Sequence, residues 1–203
     1  MPPVRRSSRT GPEERLPPGA GRVSLDLLAT LGRRRGERPL ERLPSTRRLG
    51  EWLLAAGLVD DSVAPTPADL ERARALREAL QRLAAAVVAG AAPDPADAAV
   101  VDATARAQVP APRLLLTGSP PFLTARPTTG SVDAALAAVA RDGIDLLTGP
   151  SAAQLRICAA DPCARVYLDP SGRRRYCSSQ RCGSRSRVAA HRERRRLTGQ
   201  EDR

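Results

Sequence analysis

Four cysteines, Cys158, Cys163, Cys177 and Cys182, are the only thiols in the chain, and they fall close together near its C-terminal end. Their spacing is C-x4-C, an intervening stretch of thirteen residues, and C-x4-C again. Each pair can turn two thiolates toward one point, and two such pairs supply four soft ligands in the tetrahedral arrangement of structural zinc. An iron–sulfur cluster and two disulfides are the alternatives open to four thiols. The opening residues MPPVRRSSRTGPEERLPPGAG carry arginines with no apolar run behind them, and nothing later approaches the roughly 18 apolar residues of a membrane span. A cytoplasmic protein with no membrane partner is therefore expected, and in that reducing compartment clustered cysteines serve as metal ligands more often than as disulfides. One Zn2+ per chain is the expectation. His191, nine residues beyond Cys182, is the sole histidine; with four thiols already supplied it reads as a solvated member of a basic helix.

The cysteines sit among arginines. Every basic residue of the 203 is Arg, the formal charge is +11, and the charge is unevenly spread. Residues 1–50 hold 12 Arg against 5 acids, residues 51–150 hold 8 against 12, and residues 151–203 hold 13 against 5. A mildly acidic middle between basic ends favours a polyanionic partner for the ends, nucleic acid first. After Cys182, GSRSRVAAHRERRR continues as a helix with Arg185, Arg192 and Arg196 on one stripe, Arg187 and Arg194 opposite, and Val188 and Ala189 as its apolar anchors. Arg173, Arg174 and Arg175 lie in RRRY, and Arg181 lies between the last two ligands. With two Tyr, one Phe and one Trp in the chain, a multi-base stacking platform is poorly supplied, so duplex DNA is the expected partner.

The elements that must hold these groups follow from local patterning. Residues 1–21 are Pro-, Gly-, Ser- and Arg-rich and are expected to be a disordered basic tail, as are residues 199–203. SLDLLATL is a short helix capped by Ser24 or a buried strand, which periodicity cannot separate. PSTRRLGEWLLAAG reads as a helix from Ser45 or Thr46 to Gly57, with Leu49, Trp52, Leu53 and Ala56 on one face. Thr66 caps the longest helix, with Asp69 in its first turn, Leu70, Ala73, Leu76, Leu80, Leu83 and Val87 as its stripe, and Gly90 as its stop. A helix from Pro95 to Ala107, a small hairpin around GSPP, and a helix over SVDAALAAVARDGIDLL, broken or bent near Gly143, complete the middle. VYLDPSGRRRY is expected to be a hairpin turning at DPSG that brings the two cysteine pairs together. The expected architecture is a mostly α N-terminal domain with a small β hairpin, residues 22–150, followed by a small treble-clef-like zinc finger of hairpin and helix, residues 151–198.

LRICAADPCARVYLDPSGRRRYCSSQRCGSRSRVAAHRERRR resembles the CGNR zinc-finger family. The four cysteines match its ligand positions, Gly183 and Arg185 match its Gly and Arg, and Ser184 stands where the family has Asn. Upstream, SLDLLATL, PSTRRLGEWLLAAGLVD and ALREALQRL resemble the ABATE domain that precedes this finger in the family, with Ala29 where its Asn is expected. The resemblance implies a bacterial, stress-related transcription regulator whose finger binds DNA and whose larger domain senses a signal.

On that reading the metal builds a platform for arginine. Arg185 and Arg192 are expected to reach into a groove and Arg173, Arg174 and Arg175 to meet phosphates, with Arg181, Arg187 and Arg196 completing the basic set. The helical part is expected to receive a small-molecule effector, with Arg77 anchoring its acidic group. A zinc-stabilised protein-interaction or RNA-binding module is the alternative. An enzyme is not expected, because Asp26, Thr30, Arg77 and Glu78 include no nucleophile with a base partner.

Overall fold

A computed structural model of the chain describes residues 21–60, 62–111, 113–116, 122–125 and 128–197. In order, the elements are α1 (Val23–Leu28), β1 (Leu31–Gly32), β2 (Leu40–Glu41), α2 (Thr46–Ala55), α3 (Pro67–Ala89), α4 (Pro95–Ala105), β3 (Arg113–Leu116), β4 (Phe122–Ala125) and α5 (Val132–Thr148). Then come β5 (Leu155–Ile157), β6 (Val166–Leu168), a π-helical turn at Ser179–Gly183, and α6 (Ser184–Leu197). Each sheet is a two-stranded antiparallel ladder: β1 with β2, β3 with β4, β5 with β6. The class is mostly α with small hairpins and a small finger at the C-terminal end. Apart from Gly21, the expected tails lie outside the described residues, as does GSPP between β3 and β4.

Capping fixes the helices. Thr66 and Asp69 form a reciprocal capping box at the start of α3, Pro67 occupies the first turn where no amide is needed, and Gly90 ends the helix in a left-handed conformation. Ser45 caps α2, accepting from the Arg48 amide at 3.3 Å. The apolar segment left open between helix and strand is helical, but Ser24 does not cap it. Asp142, on α5, takes that role across the fold: its carboxylate accepts from the Ser24 amide at 2.9 Å and hydroxyl at 2.5 Å. Two further expectations are corrected. α5 runs unbroken through Gly143, because the bare glycine lets α5 approach Leu80 of α3; a Cβ there would lie 2.5 Å from a Leu80 methyl. Val87 is 39% exposed, since the last turns of α3 run past the packed body.

The core draws on both sides of residue 150. Leu25, Leu28, Leu49, Leu53, Leu76, Leu80, Leu136 and Val139 are buried together, and Leu155 of β5 and Val166 of β6 belong to the same cluster at 1% and 0% exposure. Ile157 and Leu168 pack against it. The ladder that flanks the first metal-ligand pair is thus sealed into the helical body by its apolar face. Truncating Leu155 to Ala should cost about 2–5 kcal/mol, as buried leucines do, and the loss should appear in urea unfolding of the helices by circular dichroism. An unchanged helical transition would mean that the finger's ladder is not part of the helical core.

Candidate metal centre

β5 and β6 are closed by the first cysteine pair. The Cys158 amide donates to the Arg165 carbonyl at 2.9 Å, continuing the ladder, and the Cys163 amide donates to Ala160 at 2.7 Å in the turn between. Ala164 follows in a left-handed conformation, φ 52°, so that the chain can leave the turn and enter β6. The paired strand of this hairpin is therefore LRI, upstream of Cys158. Strand pairing across DPSG, which the sequence suggested, is absent. DPSG turns the chain back without a ladder because side chains hold the return: Asp169 accepts from the Ser171 hydroxyl at 2.6 Å and the Arg174 amide at 2.7 Å, and the Tyr167 hydroxyl donates to the Arg174 carbonyl at 2.6 Å. The Ser171 hydroxyl, with the amides behind it, holds the Asp169 carboxyl below its ordinary range.

This return brings the second pair onto the first. The Ala159 amide donates to the Arg175 carbonyl at 3.0 Å, and the Cys177 amide points at the Cys158 sulfur at 3.4 Å. The Ser178 hydroxyl then caps the π turn through the Arg181 amide at 3.2 Å, which carries Cys182 inward. All four sulfurs lie within 4.8 Å of one another. Cys163 and Cys177 are 3.8 Å apart and Cys177 and Cys182 3.6 Å apart. A tetrahedral zinc with about 2.3 Å metal–sulfur bonds requires edges of about 3.8 Å, so the donor set fits Zn2+ in type, number and size. The thiols are free rather than disulfide-bonded. They titrate as one system: hydrogen bonds from Cys163 and Cys177 draw Cys158 far below the usual thiol range, while the hydrogen bond shared with Cys158 pushes Cys163 up to about 11, and those shared with Cys158 and Cys163 push Cys177 higher still. A dication answers the charge that the cluster otherwise shares through protons.

Residues 21–150 match the ABATE family model, described as "Putative stress-induced transcription regulator". The chain belongs to the ABATE family. Residues 154–195 match the CGNR zinc finger, so the four-thiolate centre is the metal site of that finger and holds one Zn2+. No curated protein matches the chain.

The basic side chains of the ABATE protein's finger are distributed as follows. Arg173, Arg174, Arg175 and Arg181 are exposed. The Arg174 guanidinium lies 4.9 Å over the Tyr167 ring, and that of Arg175 6.0 Å over Tyr176. On α6, Arg185, Arg187, Arg192 and Arg196 are exposed, as is His191. Arg185 turns back to the metal centre, its Nη2 3.9 Å from the Cys182 sulfur. Arg187 donates to the Ser184 hydroxyl at 3.0 Å, and that hydroxyl donates to the Ser179 carbonyl at 3.3 Å, so the serine in the family's Asn position ties the π turn to the helix. Val188, expected to anchor α6, is 50% exposed, because the helix leaves the finger after its first turn.

Arg77 lies elsewhere, on α3, at 3% exposure. Its guanidinium donates to both Glu41 oxygens at 2.8 and 2.7 Å, to Glu78 at 2.8 Å and to Thr30 at 3.1 Å. The protein's own carboxylates thus take the bidentate geometry that the sequence reserved for a ligand acid. Burial raises both glutamates, yet Arg77 at Glu41, and Arg34 with Arg77 at Glu78, outweigh it and hold both below the ordinary range. Tyr167, Asp169 and Ser178 were missed as metal-centre residues. DPSG flagged Asp169 as a turn residue, but nothing local marked Tyr167 as the clamp on the return.

Replacing Cys177 with Ser should abolish zinc binding. Hydrogen exchange should then quicken from about residue 175 onward, while β5 and β6 stay protected, because Leu155 and Val166 remain in the helical core. Loss of protection beginning at residue 150 would contradict this division.

Proposed function

We propose that this protein is a zinc-dependent transcription regulator that grips duplex DNA with its finger. The observation that carries the reading is α6: from Arg187 to Arg196 it is exposed, and it bears arginine on several sides with only the short Val188–Ala190 run between them. A solvated helix of that composition is suited to phosphates on either wall of a groove. Both finger tyrosines are already engaged by arginines, and Tyr167 is buried, which favours a duplex over single strands that need free aromatic faces. Four thiolates fill the zinc, so the metal supports structure and is not assigned to catalysis.

The roles divide by geometry. Arg185 faces the Cys182 sulfur, where a guanidinium offsets the excess negative charge of a four-thiolate zinc centre, and is assigned to the metal. Arg192 stands free of that contact on the same stripe and is assigned to the groove. Arg173, at the end of the DPSG turn, is assigned to phosphate, with Arg174, Arg175, Arg181, Arg187 and Arg196 adding charge around it. Signal reception is assigned to the ABATE portion, at a place other than the Arg77 network, and a metabolite thermal-shift screen on the intact protein is the way to find its ligand.

Salt titration of binding to a selected and a scrambled duplex separates the roles. Arg173→Ala should weaken both complexes alike and lower the salt slope by about 1. Arg192→Ala should cost roughly 1–3 kcal/mol on the selected duplex and relax preference at one position. Wild-type protein that binds neither duplex would refute the proposal.

A further inference from the structure

The segment between β1 and β2 reads RRRGER over residues 33–38, four arginines to one glutamate, and it lies far in sequence from the finger. The fold nevertheless seats it on the first cysteine knuckle. The Arg35 amide donates to the Pro162 carbonyl at 3.1 Å, inside the turn from Cys158 to Cys163. Gly36 makes the approach possible: a Cβ there would stand 3.2 Å from the Pro162 Cβ and 3.3 Å from the Arg33 carbonyl. Arg33 and Ala164, both at φ 52°, are the two non-glycine residues with positive φ among those described, and they flank this junction on its two sides. Side chains avoid that conformation unless the surroundings impose it, so both segments bend to meet.

A second tie holds the loop from the other direction. Arg34 turns inward, its side chain 11% exposed, and donates to Glu78 at 2.7 Å, joining the network that centres on Arg77. With Arg34 fixed to α3 and the Arg35 amide fixed to the knuckle, the backbone is set while the Arg35 and Arg38 side chains remain exposed. Arg35 is therefore held exposed at the knuckle whose cysteines share a site with Cys182, the root of α6, and Arg38 lies exposed three residues further along the same loop.

We propose that the β1–β2 loop is a second arm of the DNA-binding surface, clipped to the zinc knuckle so that Arg35 and Arg38 meet backbone phosphates beside those held by the finger. This rests on the duplex-DNA reading above and extends it from the finger into the ABATE portion. Arginines on a fixed backbone, away from the groove-directed helix, position the protein without reading bases. The loop accordingly contributes affinity and salt dependence but no sequence preference.

The test uses full-length, zinc-loaded protein carrying Arg35→Ala, Arg38→Ala or both, with Arg173→Ala as the comparison. Zinc content and thermal melting should match wild type. Binding should weaken equally on the selected and scrambled duplexes, and the salt slope should fall by about 1 for each side chain removed. If the double variant keeps the wild-type slope while Arg173→Ala lowers it, the loop is outside the interface and the DNA reading stands. Loss of zinc or of thermal stability in the double variant would make these arginines structural and overturn the assignment. A wild-type protein that binds no duplex overturns both readings.

Discussion

The β5–β6 hairpin buries Leu155 and Val166 in the helical core and, one residue past its end, presents Cys158 to the metal. That short ladder is the mechanical joint of the molecule. Burial of each such side chain is worth about 1.5–3 kcal/mol, enough to fix the first knuckle relative to α1 and α3. The second knuckle has no comparable apolar support: Cys182 alone of it joins the small buried cluster with Cys158, Ala160 and Tyr167, and Tyr176 and Cys177 are half-buried beside them. Its position depends on the shared ion and on the hydrogen bonds from Cys177, Ala159 and Tyr167 that lay the returning chain against the first knuckle. Zinc therefore joins a part that the core already holds to one that it does not.

That asymmetry explains where the charge can act. α6 has almost no packing of its own, so its direction is set at its root by the π turn, the Ser178 cap and the Cys182 bond to metal. A helix so held can carry arginine on every side at little cost to folding, because none of that charge must be buried. Arg185 turns its guanidinium back to the Cys182 sulfur, and Arg192 extends from the same helix into solvent. The buried Arg77 network plays the complementary part in the body: a guanidinium satisfied on three sides links the β1–β2 loop to α3 and, through Arg34, steadies the segment that touches the knuckle.

Much of this was legible in the sequence, for reasons that differ by element. Caps and stripes placed α2 and α3, because Ser45, and Thr66 with Asp69, act on amides within three residues of themselves. Cysteine spacing disclosed the ligand set, since four thiols have few partners to choose among. What escaped was long-range. Ser24 looked like a cap and instead donates to Asp142, 118 residues away. Gly143 looked like a break and is instead a contact with Leu80. Arg77 looked available, and only the fold brings Glu41 to it. The hairpin at DPSG was misplaced because Asp169 and Tyr167 reproduce with side chains the hold that a strand ladder would have given.

The most direct test is to remove zinc from the intact protein, then return it stepwise while following the anisotropy of a labelled duplex and, in parallel, the helical circular dichroism. Binding is expected to vanish in the metal-free protein, return in proportion to zinc, and saturate at one equivalent per chain, with most of the helical signal present throughout. Metal-free protein that binds the duplex with undiminished affinity and the same salt slope would contradict the claim that zinc holds the arginines in place.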